Sequence, residues 1–420
     1  MSTLTQMNAI LKDDYKEYWE QLNQTCFIPA QVATKRDTIE GRRATHAIHT
    51  SRSGAVGARA ADTPTLPTAV RQGHTTVQVP LRWVFGRIEL DLPLIEQASG
   101  GSASFVDSME NEMAGIRNDA SREICRQVWG TSNGVIATCG TTSSSTTVQL
   151  LATVTTAAQM RHLYVNKVVD IGTVASPSSV ASARSITAFD VTNKTITISG
   201  AAISTTSGTH YVFTASAGGA SDNTGNVNDG QKELTGLQTI VAASGTLHTV
   251  DPSTYGIWKA QSYSNSGTQR NLAENMVTQA ILQNTVESGS TVNLLVSNIG
   301  VGMVAQQMMA AYNRNLDTLE VNGGFKGIRW ATPGVGGSGS KDLGWFIDFD
   351  CPHHALYGIN TEALVMYEDQ GWRWMDHDGS VLSRVANTAA YEASLYTSQE
   401  LACVRRNAHF VISDLVESSI

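Results

Sequence analysis

One long amphipathic stretch, residues 100–130, constrains the fold of this chain more than any other segment. Arg122 and Arg126 lie toward its end and acidic residues toward its start, which suits the dipole of a helix. Gly130 is a natural stop. The stretch therefore predicts one helix of roughly 40 Å, long for a globular chain. Its apolar residues recur at steps of three and four, the period of one helix face: Phe105, Met109, Met113, Ile116, Ala120, Ile124 and Val128.

Composition narrows the class of protein. A chain of 420 residues can bury a large core and form two or three domains. No apolar run approaches the ~18 residues of a membrane span, and the N-terminus lacks the pattern of a signal peptide. Five scattered cysteines without CxxC spacing predict reduced thiols in a protein made in a cytoplasm. The formal charge of −8 argues against a dedicated nucleic-acid binder.

The N-terminal part of the chain has too few large apolar side chains to form a core of its own. Residues 5–23 have an apolar stripe typical of an amphipathic helix, which needs a surface to dock on. Residues 24–75 are poor in large apolar groups and predict a projecting loop or hairpin. Residues 31–90 carry nine Lys and Arg against four Asp and Glu. A basic arm on an acidic body suits contact between copies, although a solvated basic loop explains the charge equally well.

Residues 76–92 form the clearest strand pattern in the sequence. Apolar parity changes at Gly86, which predicts a β-bulge there. Pro80 has no N–H to donate, so the strand is expected at a sheet edge. Before Gly86, one face is predicted to hold Val77, Val79, Leu81, Trp83 and Phe85.

The second half of the chain predicts an α+β fold. Charge is sparse from Thr131 to Ala260, and short Ser- and Thr-rich strand patterns predict a small β-barrel or sandwich inserted over 161–255. Further on, the pattern is helix, buried strand, helix, over 272–287, 292–297 and 301–313. Strand patterns then cover 323–357, 363–374 and 401–412.

No motif predicts catalysis or a bound cofactor. The segment 334–341 is rich in glycine but fails the phosphate-loop template, because Lys341 follows serine and precedes Asp342. The strings 351–354 and 376–378 carry Cys, His and Asp without a zinc spacing. The nucleophile pattern GxSxG is absent. The sequence therefore predicts no enzyme, no cofactor and no metal site.

The order of these elements resembles the major capsid proteins of tailed bacteriophages, which have the Hong Kong-type fold. Within that group, the strings are most similar to those of phages of actinobacteria. They comprise Gly57–Ala60, Thr65–Pro67 and Arg71–Gly73 of the loop, Val79–Ile88 of its return, Glu110–Trp129 of the helix, Asn133–Ala137, Trp258–Ala260, Gly323–Phe325 and Trp374–Gly379.

The resemblance implies a domain plan. It comprises an N-terminal arm (1–45), an extended loop (46–95), a peripheral domain with the spine helix (96–160), the inserted β-rich domain (161–255), an axial domain (256–365) and returning strands (366–420).

It also implies a function. Copies would assemble as hexamers and pentamers into an icosahedral head around packaged double-stranded DNA, with the DNA contacted non-specifically and no membrane involved. Assembly would occur in the bacterial cytoplasm, and the protein would reside in the virion. Partners would be a separate scaffolding protein, a portal and a decoration protein.

In this family the extended loop lies over a neighbouring subunit. Some members also cross-link a loop lysine to a neighbour's asparagine, but residues 36–166 contain no lysine, so we expect no such bond. Candidate intersubunit contacts are Arg52, Arg59, Arg71, Arg82, Trp83 and Arg87. Candidate residues of an axial loop are Gly334, Gly336, Gly337 and Gly339.

Two alternatives stay open at this point. One is an encapsulin-like protein compartment, which would have the same fold and an enzyme as cargo. The other is a different phage structural protein, such as a tail or adhesion component, which would form rings or tubes.

Overall fold

The computed structural model shows long strands packed around one long helix. The residues that it describes are 27–36, 39–41, 43–59, 66–92, 104–151, 160–218, 232–311, 318–321, 325–332, 341–376 and 379–418. The predicted N-terminal helix (5–23) and the candidate axial loop glycines lie outside these residues.

The helices are α1 (Ile28–Gln31), α2 (Ser104–Trp129), α3 (Leu237–Ile240), α4 (Glu274–Ser288) and α5 (Ile299–Ala311). The strands of the first half are β1 (Ala33–Lys35), β2 (Ile39–Glu40), β3 (Arg43–Ser51), β4 (Gly73–Pro80), β5 (Arg82–Asp91), β6 (Val135–Thr138), β7 (Thr142–Ser145), β8 (Thr147–Gln149), β9 (Val168–Thr173), β10 (Ser176–Asp190), β11 (Thr195–Ile198), β12 (Ile203–Thr205) and β13 (Tyr211–Thr214). Those of the second half are β14 (Gln261–Tyr263), β15 (Leu294–Ser297), β16 (Thr318–Val321), β17 (Phe325–Thr332), β18 (Lys341–Ile347), β19 (Leu356–Ile359), β20 (Leu364–Trp374), β21 (Ser383–Arg384), β22 (Ala390–Cys403) and β23 (Phe410–Ile412).

The long helix is confirmed as α2. Its C-terminal half buries Ile124 and Val128 in the main core, as the apolar stripe predicts, and Trp129 joins them there. Helix α2 packs against β5, and the approach is close at Gly86, where a Cβ would lie 3.0 Å from Cγ1 of Ile116. Glycine at this position therefore lets the helix lie directly on the strand.

The expected bulge at Gly86 is wrong. Strand β5 pairs with β22 in unbroken antiparallel register, from Arg82 opposite Gln399 to Asp91 opposite Ala390. The exposed face changes instead at Pro80–Leu81, where the chain passes from one sheet to another. Trp83 and Phe85 consequently point to solvent rather than into the core.

The projecting hairpin is confirmed. Strands β3 and β4 pair antiparallel from Arg43 opposite Pro80 to Ser51 opposite Gly73. Strand β4 is at the edge of the three-stranded sheet β2-β3-β4, which agrees with the edge position predicted from Pro80. At its root the hairpin buries Ala44, Val77 and Val79 in the main core.

A β-rich unit follows the long helix. Its larger sheet has the order β6-β13-β9-β10-β11-β8, and a core of its own includes Val148, Ile171, Ile186 and Val212. We call residues 135–214 the insertion. Its strands begin earlier than the expected 161, because 135–149 are too polar to show alternation. Residues 234–260 pack into the main core rather than into the insertion.

The remainder is a layered α+β unit, as the sequence predicts. Its seven-stranded sheet has the order β14-β23-β19-β15-β18-β17-β16. Helix α4 ends at Gly289, whose φ of 65° suits a residue without a Cβ. A second sheet joins β1, β20, β22 and β21, with β5 on the free side of β22.

The cysteines agree with the prediction in part. Cys139, Cys351 and Cys403 are buried free thiols, but Cys125 is disulfide-bonded, so the expectation of reduced thiols throughout is wrong. In the described part of the chain, no helix is both long and apolar enough to cross a membrane.

Candidate intersubunit surface

The hairpin ends in a tip that exposes both charge and apolar surface. We define the hairpin tip as residues 52–59 and 66–72; the hydroxyl of Ser53 donates to the carbonyl oxygen of Val70 (2.7 Å) and joins its two sides. Val56 and Leu66 are 89% and 82% exposed. Its exposed cations are the sequence candidates Arg52, Arg59 and Arg71.

An aromatic ledge lies on the outer face of the β5–β22 ladder. We define it as Trp83, Phe85 and Tyr396, with Arg373 from β20. Ring centroids are 6.1 Å apart for Trp83 and Phe85 and 5.9 Å for Trp83 and Tyr396, within the usual range of aromatic pairs. Cζ of Arg373 lies 4.7 Å from the Tyr396 centroid, a cation–π contact.

The two aromatic residues that β5 contributes to the ledge are exposed. Phe85 is 63% and Trp83 50% exposed, and neither is covered by the described part of its own chain. Aromatic residues and arginine are enriched in the cores of protein interfaces. The candidate Trp83 is thus well placed for a contact. Phe85 lies on the same exposed face and was not among the sequence candidates.

A cleft runs beside the ledge along the edge of β5 that, in the described part of the chain, no strand pairs with. Two cavities of about 790 and 340 Å³ share Val84, Phe85 and Glu123 in their walls, and we call them together the edge cleft. Its walls are Leu81 with residues 82–86 of β5, residues of α2, and residues 214–217 at and after the end of β13.

Arg82 differs from the arginines of the hairpin tip, because it is buried within the subunit. It is buried, with Nε 3.5 Å from Oε2 of the fully buried Glu400. Oε1 of Glu400 accepts from the backbone N–H groups of Thr235 (2.6 Å) and Leu401 (3.0 Å). Burial raises the pKa of Glu400 to about 7, against the opposing effect of Arg82. Arg82 therefore makes its charged contact inside its own subunit.

Arg87 is exposed but already has a partner. It forms an ion pair with Glu392 on the neighbouring strand β22. Exposed pairs of this kind contribute only ~0–1 kcal/mol. Arg87 therefore makes its charged contact within its own subunit.

A buried ionic junction connects α2 with the insertion. Arg126 pairs with Glu123 on its own helix and with Glu233, and Nζ of Lys167 lies 3.5 Å from Oε2 of Glu123. Burial raises the pKa of Glu123, but Arg126 and Lys167 outweigh burial and hold it well below its ordinary value. The sequence shows only the Glu123–Arg126 spacing; Glu233 is 107 residues from Arg126.

A second buried pair ties the insertion to the seven-stranded unit. Nε2 of His162 lies 2.6 Å from Oδ1 of Asp350, and Arg161 pairs with the same carboxylate. Burial raises the pKa of Asp350, yet His162 and Arg161 bring it below its ordinary value. Together with the junction at Arg126, these contacts fix the orientation of the insertion.

The adjacent residues His353 and His354 both contact the carboxylate of Glu417 within the subunit. Nδ1 of His353 lies 3.1 Å from Oε2 of Glu417, and the backbone N–H of His354 donates to Oε1 of Glu417 (2.6 Å). Burial raises the pKa of Glu417, but these contacts lower it to about 2. His377 and Asp378 lie outside the described residues, and within those described no cluster of His, Cys, Asp and Glu could hold a metal ion.

Comparison with known proteins identifies the fold. No family model and no curated protein matches the chain. The solved structure of the cyanophage A-1(L) capsid asymmetric unit aligns with a TM-score of 0.54 and 12% identity over 99% of this chain and 98% of that chain.

Two further structures align over nearly the full length. The SrpI encapsulin of Synechococcus elongatus has a TM-score of 0.48 at 6% identity and covers 98% of this chain and 95% of its own. Mycobacterium phage Bobi has 0.46 at 8% identity and 99% coverage of both. Both scores are under 0.5, so the predicted closeness to phages of actinobacteria stays a prediction.

The cyanophage alignment covers nearly the whole of both chains, so it takes in the hairpin, the long helix, the β-rich insertion and the layered α+β unit of this chain. The chain therefore has the Hong Kong-type capsid fold of tailed bacteriophages, as its sequence predicts.

Proposed function

We propose that this chain is a major capsid protein, which assembles as hexamers and pentamers into the icosahedral head around packaged phage double-stranded DNA. The observation that carries the proposal is the full-length likeness to a cyanophage capsid subunit. Its likeness to that structure is one of fold, so the proposal also needs support from the surface of this chain.

That support comes from two surfaces that the subunit leaves uncovered. The hairpin tip offers Val56 and Leu66 beside three arginines, and the aromatic ledge offers Trp83 and Phe85. Large exposed apolar surface is typical of sites at which proteins bind one another. Arg52, Arg59, Arg71 and Trp83 are accordingly the contacts that we propose from the sequence candidates.

The remaining roles follow from the same proposal. The protein resides in the virion shell, and its partners are further copies, a scaffolding protein, a portal and a decoration protein. Its role is structural rather than enzymatic. Because residues 36–166 contain no lysine, the hairpin forms no lysine–asparagine bond; a covalent ladder after boiling in SDS would contradict this.

Electron microscopy of the protein, expressed alone and with its neighbouring genes, tests the proposal. We expect closed polyhedral shells or five- and six-fold capsomers. Monomers or dimers under every condition would overturn it, and rings or tubes would indicate a tail component. Shells that enclose an enzyme but no DNA would indicate an encapsulin-like compartment.

A further inference from the structure

We propose that Cys125 of α2 forms its disulfide with Cys26, and that this bond links the start of the chain to the long helix after the protein leaves a reducing cytoplasm. Cys26 lies just outside the described residues, immediately before Phe27. The pairing does not depend on the proposed function. Its timing rests on that function, because a shell protein is assembled in the host cytoplasm, where thiols stay reduced.

The partner of Cys125 follows from the five cysteines of the chain. Cys125 is disulfide-bonded, whereas Cys139, Cys351 and Cys403 are buried free thiols. Burial raises the pKa of the Cys139 and Cys403 thiols to about 12 and the pKa of Cys351 well above its usual value. Since the thiolate is the form that reacts, these three thiols resist disulfide exchange. Cys26 is the one cysteine that remains.

The described residues bring the start of the chain to the turn of α2 that carries Cys125. Helix α1 packs against α2, and Pro29 of α1 lines a cavity of about 200 Å³ together with Ser121 and Ile124 of α2. Phe27 is 4% exposed and shares the main core with Ile124. Because consecutive Cα atoms lie about 3.8 Å apart, the residue that precedes Phe27 is close to α2, as a disulfide requires.

The contacts that follow α1 are exposed, so a covalent bond at its start adds much to them. Strand β1 pairs with β20 over three residues, and all three are exposed. Arg36 pairs with Glu368, but the side chain of Arg36 is 62% exposed, and such a pair contributes little. The disulfide closes residues 26–125 into a ring of roughly 100 residues that contains the hairpin and β5. Closing so long a loop restricts the unfolded chain and therefore stabilises the folded one.

A small disulfide such as oxidised glutathione is the oxidant. One cysteine thiolate attacks a sulfur of that disulfide and releases one small thiol, which leaves a mixed disulfide on the protein. The second cysteine thiolate attacks the protein sulfur of the mixed disulfide and releases the second small thiol. The two cysteines lose two electrons and two protons, and the small disulfide takes up both. A reducing cytoplasm reverses this exchange, so the bond closes after the protein leaves the cell.

Mass spectrometry identifies the pair. The purified full chain is treated with oxidised glutathione, alkylated with N-ethylmaleimide in urea and digested with trypsin without a reductant. We expect residues 17–35 and 123–126 as one linked species, two hydrogens lighter than the sum of the two peptides, and the other three cysteines alkylated. A species in which Cys125 is alkylated, or is linked to any partner other than Cys26, overturns the inference.

Thermal unfolding measures the effect of the bond on stability. We expect dithiothreitol to lower the unfolding midpoint of the oxidised, unaltered chain by about 5–10 °C, because the closed loop is long. Cys26→Ser should have the lower midpoint with and without the reductant. The matched control Cys139→Ala removes a thiol from the core of the insertion and should keep the difference between the two conditions. Equal midpoints for the oxidised and the reduced unaltered chain would overturn the stabilising role.

Trapping of thiols tests the timing and separates it from the proposed function. One culture is treated with N-ethylmaleimide before lysis, and particles from an untreated culture are exposed to oxidised glutathione after lysis. A chain with the closed ring migrates faster on a non-reducing SDS gel. We expect the slower form in the trapped cells and the faster form in the released particles, and the faster form in trapped cells would overturn the timing. If the chain forms no particles but the linked peptides appear, the proposed function fails and the pairing stands.

Discussion

The outer face of β5 exposes apolar side chains, whereas the ionic junction at Arg126 buries charged ones. Both are the reverse of the usual distribution of residues in a folded subunit. Phe85 and Trp83 are apolar and exposed, whereas Arg126, Lys167 and Glu233 are charged and buried. Large exposed aromatics and buried ions both need an explanation, because single subunits normally avoid them. We connect the contrast with two tasks: under the proposed function the aromatics contact a partner subunit, and within the subunit the ions hold the insertion on the long helix.

Removal of the central cation of the junction should have the largest effect on the subunit. Arg126→Met leaves the buried Glu233 without its cation and takes from Glu123 one of its two cations, so we expect a loss of ~3–5 kcal/mol in the free energy of unfolding. Urea denaturation measures it. The control Arg122→Met removes a cation whose partner, Asp119, is exposed, and should cost under ~1 kcal/mol. Equal losses in the two variants would contradict a buried junction.

Acid stability should depend on Glu417. Its pKa of about 2 in the folded chain lies below the ordinary value, so its contribution is complete above about pH 5 and is lost as the pH falls toward 2. The contribution is of order 2 kcal/mol. Unfolding by urea from pH 7 to 2 should show a steep acid loss in the unaltered chain and a shallower one in Glu417→Gln. Parallel curves would show that the carboxylate does not contribute.

The close approach of helix and strand should be sensitive to one methyl group. Gly86→Ala places a Cβ 3.0 Å from Cγ1 of Ile116, so we expect a loss of about 1–3 kcal/mol from overpacking. The control Gly115→Ala, on the same helix in open space, should stabilise by ~0.5–1 kcal/mol through helix propensity. Thermal unfolding distinguishes the two signs, and a neutral Gly86→Ala would refute the contact.

A substitution in the aromatic ledge should have the smallest effect on the stability of the subunit and a large effect on shell assembly. Trp83→Ala removes a half-exposed side chain, so the free energy of unfolding should change by no more than ~0.5–1 kcal/mol. Assembly, followed by light scattering, should nevertheless be lost. A variant that unfolds readily would instead show that the aromatics hold the subunit itself.

The sequence predicted elements whose signal is local. Helix α2, the β3–β4 hairpin and the helix–strand–helix order of α4, β15 and α5 all follow from periodicity and turn residues. The exposed face of β5 was not predicted, because the chain reverses its buried parity at the corner of Pro80 and Leu81 rather than at Gly86.

The surface was predicted less fully than the fold. The exposure of Arg52, Arg59 and Arg71 agrees with a basic projecting loop, but the burial of Arg82 depends on Glu400, 318 residues later in the numbering. The junction also depends on a distant partner, Glu233. Pairings of this kind leave no periodic trace, so the sequence alone does not reveal them.

Hydrogen exchange of the backbone amides of residues 81–86, in isolated subunits and in assembled shells, tests the central claim most directly. Under the proposed function, contact of the aromatic ledge and the hairpin tip with neighbouring copies predicts slower exchange in both regions on assembly, with little change in β11 of the insertion. Shells in which residues 81–86 exchange as fast as in isolated subunits would contradict it.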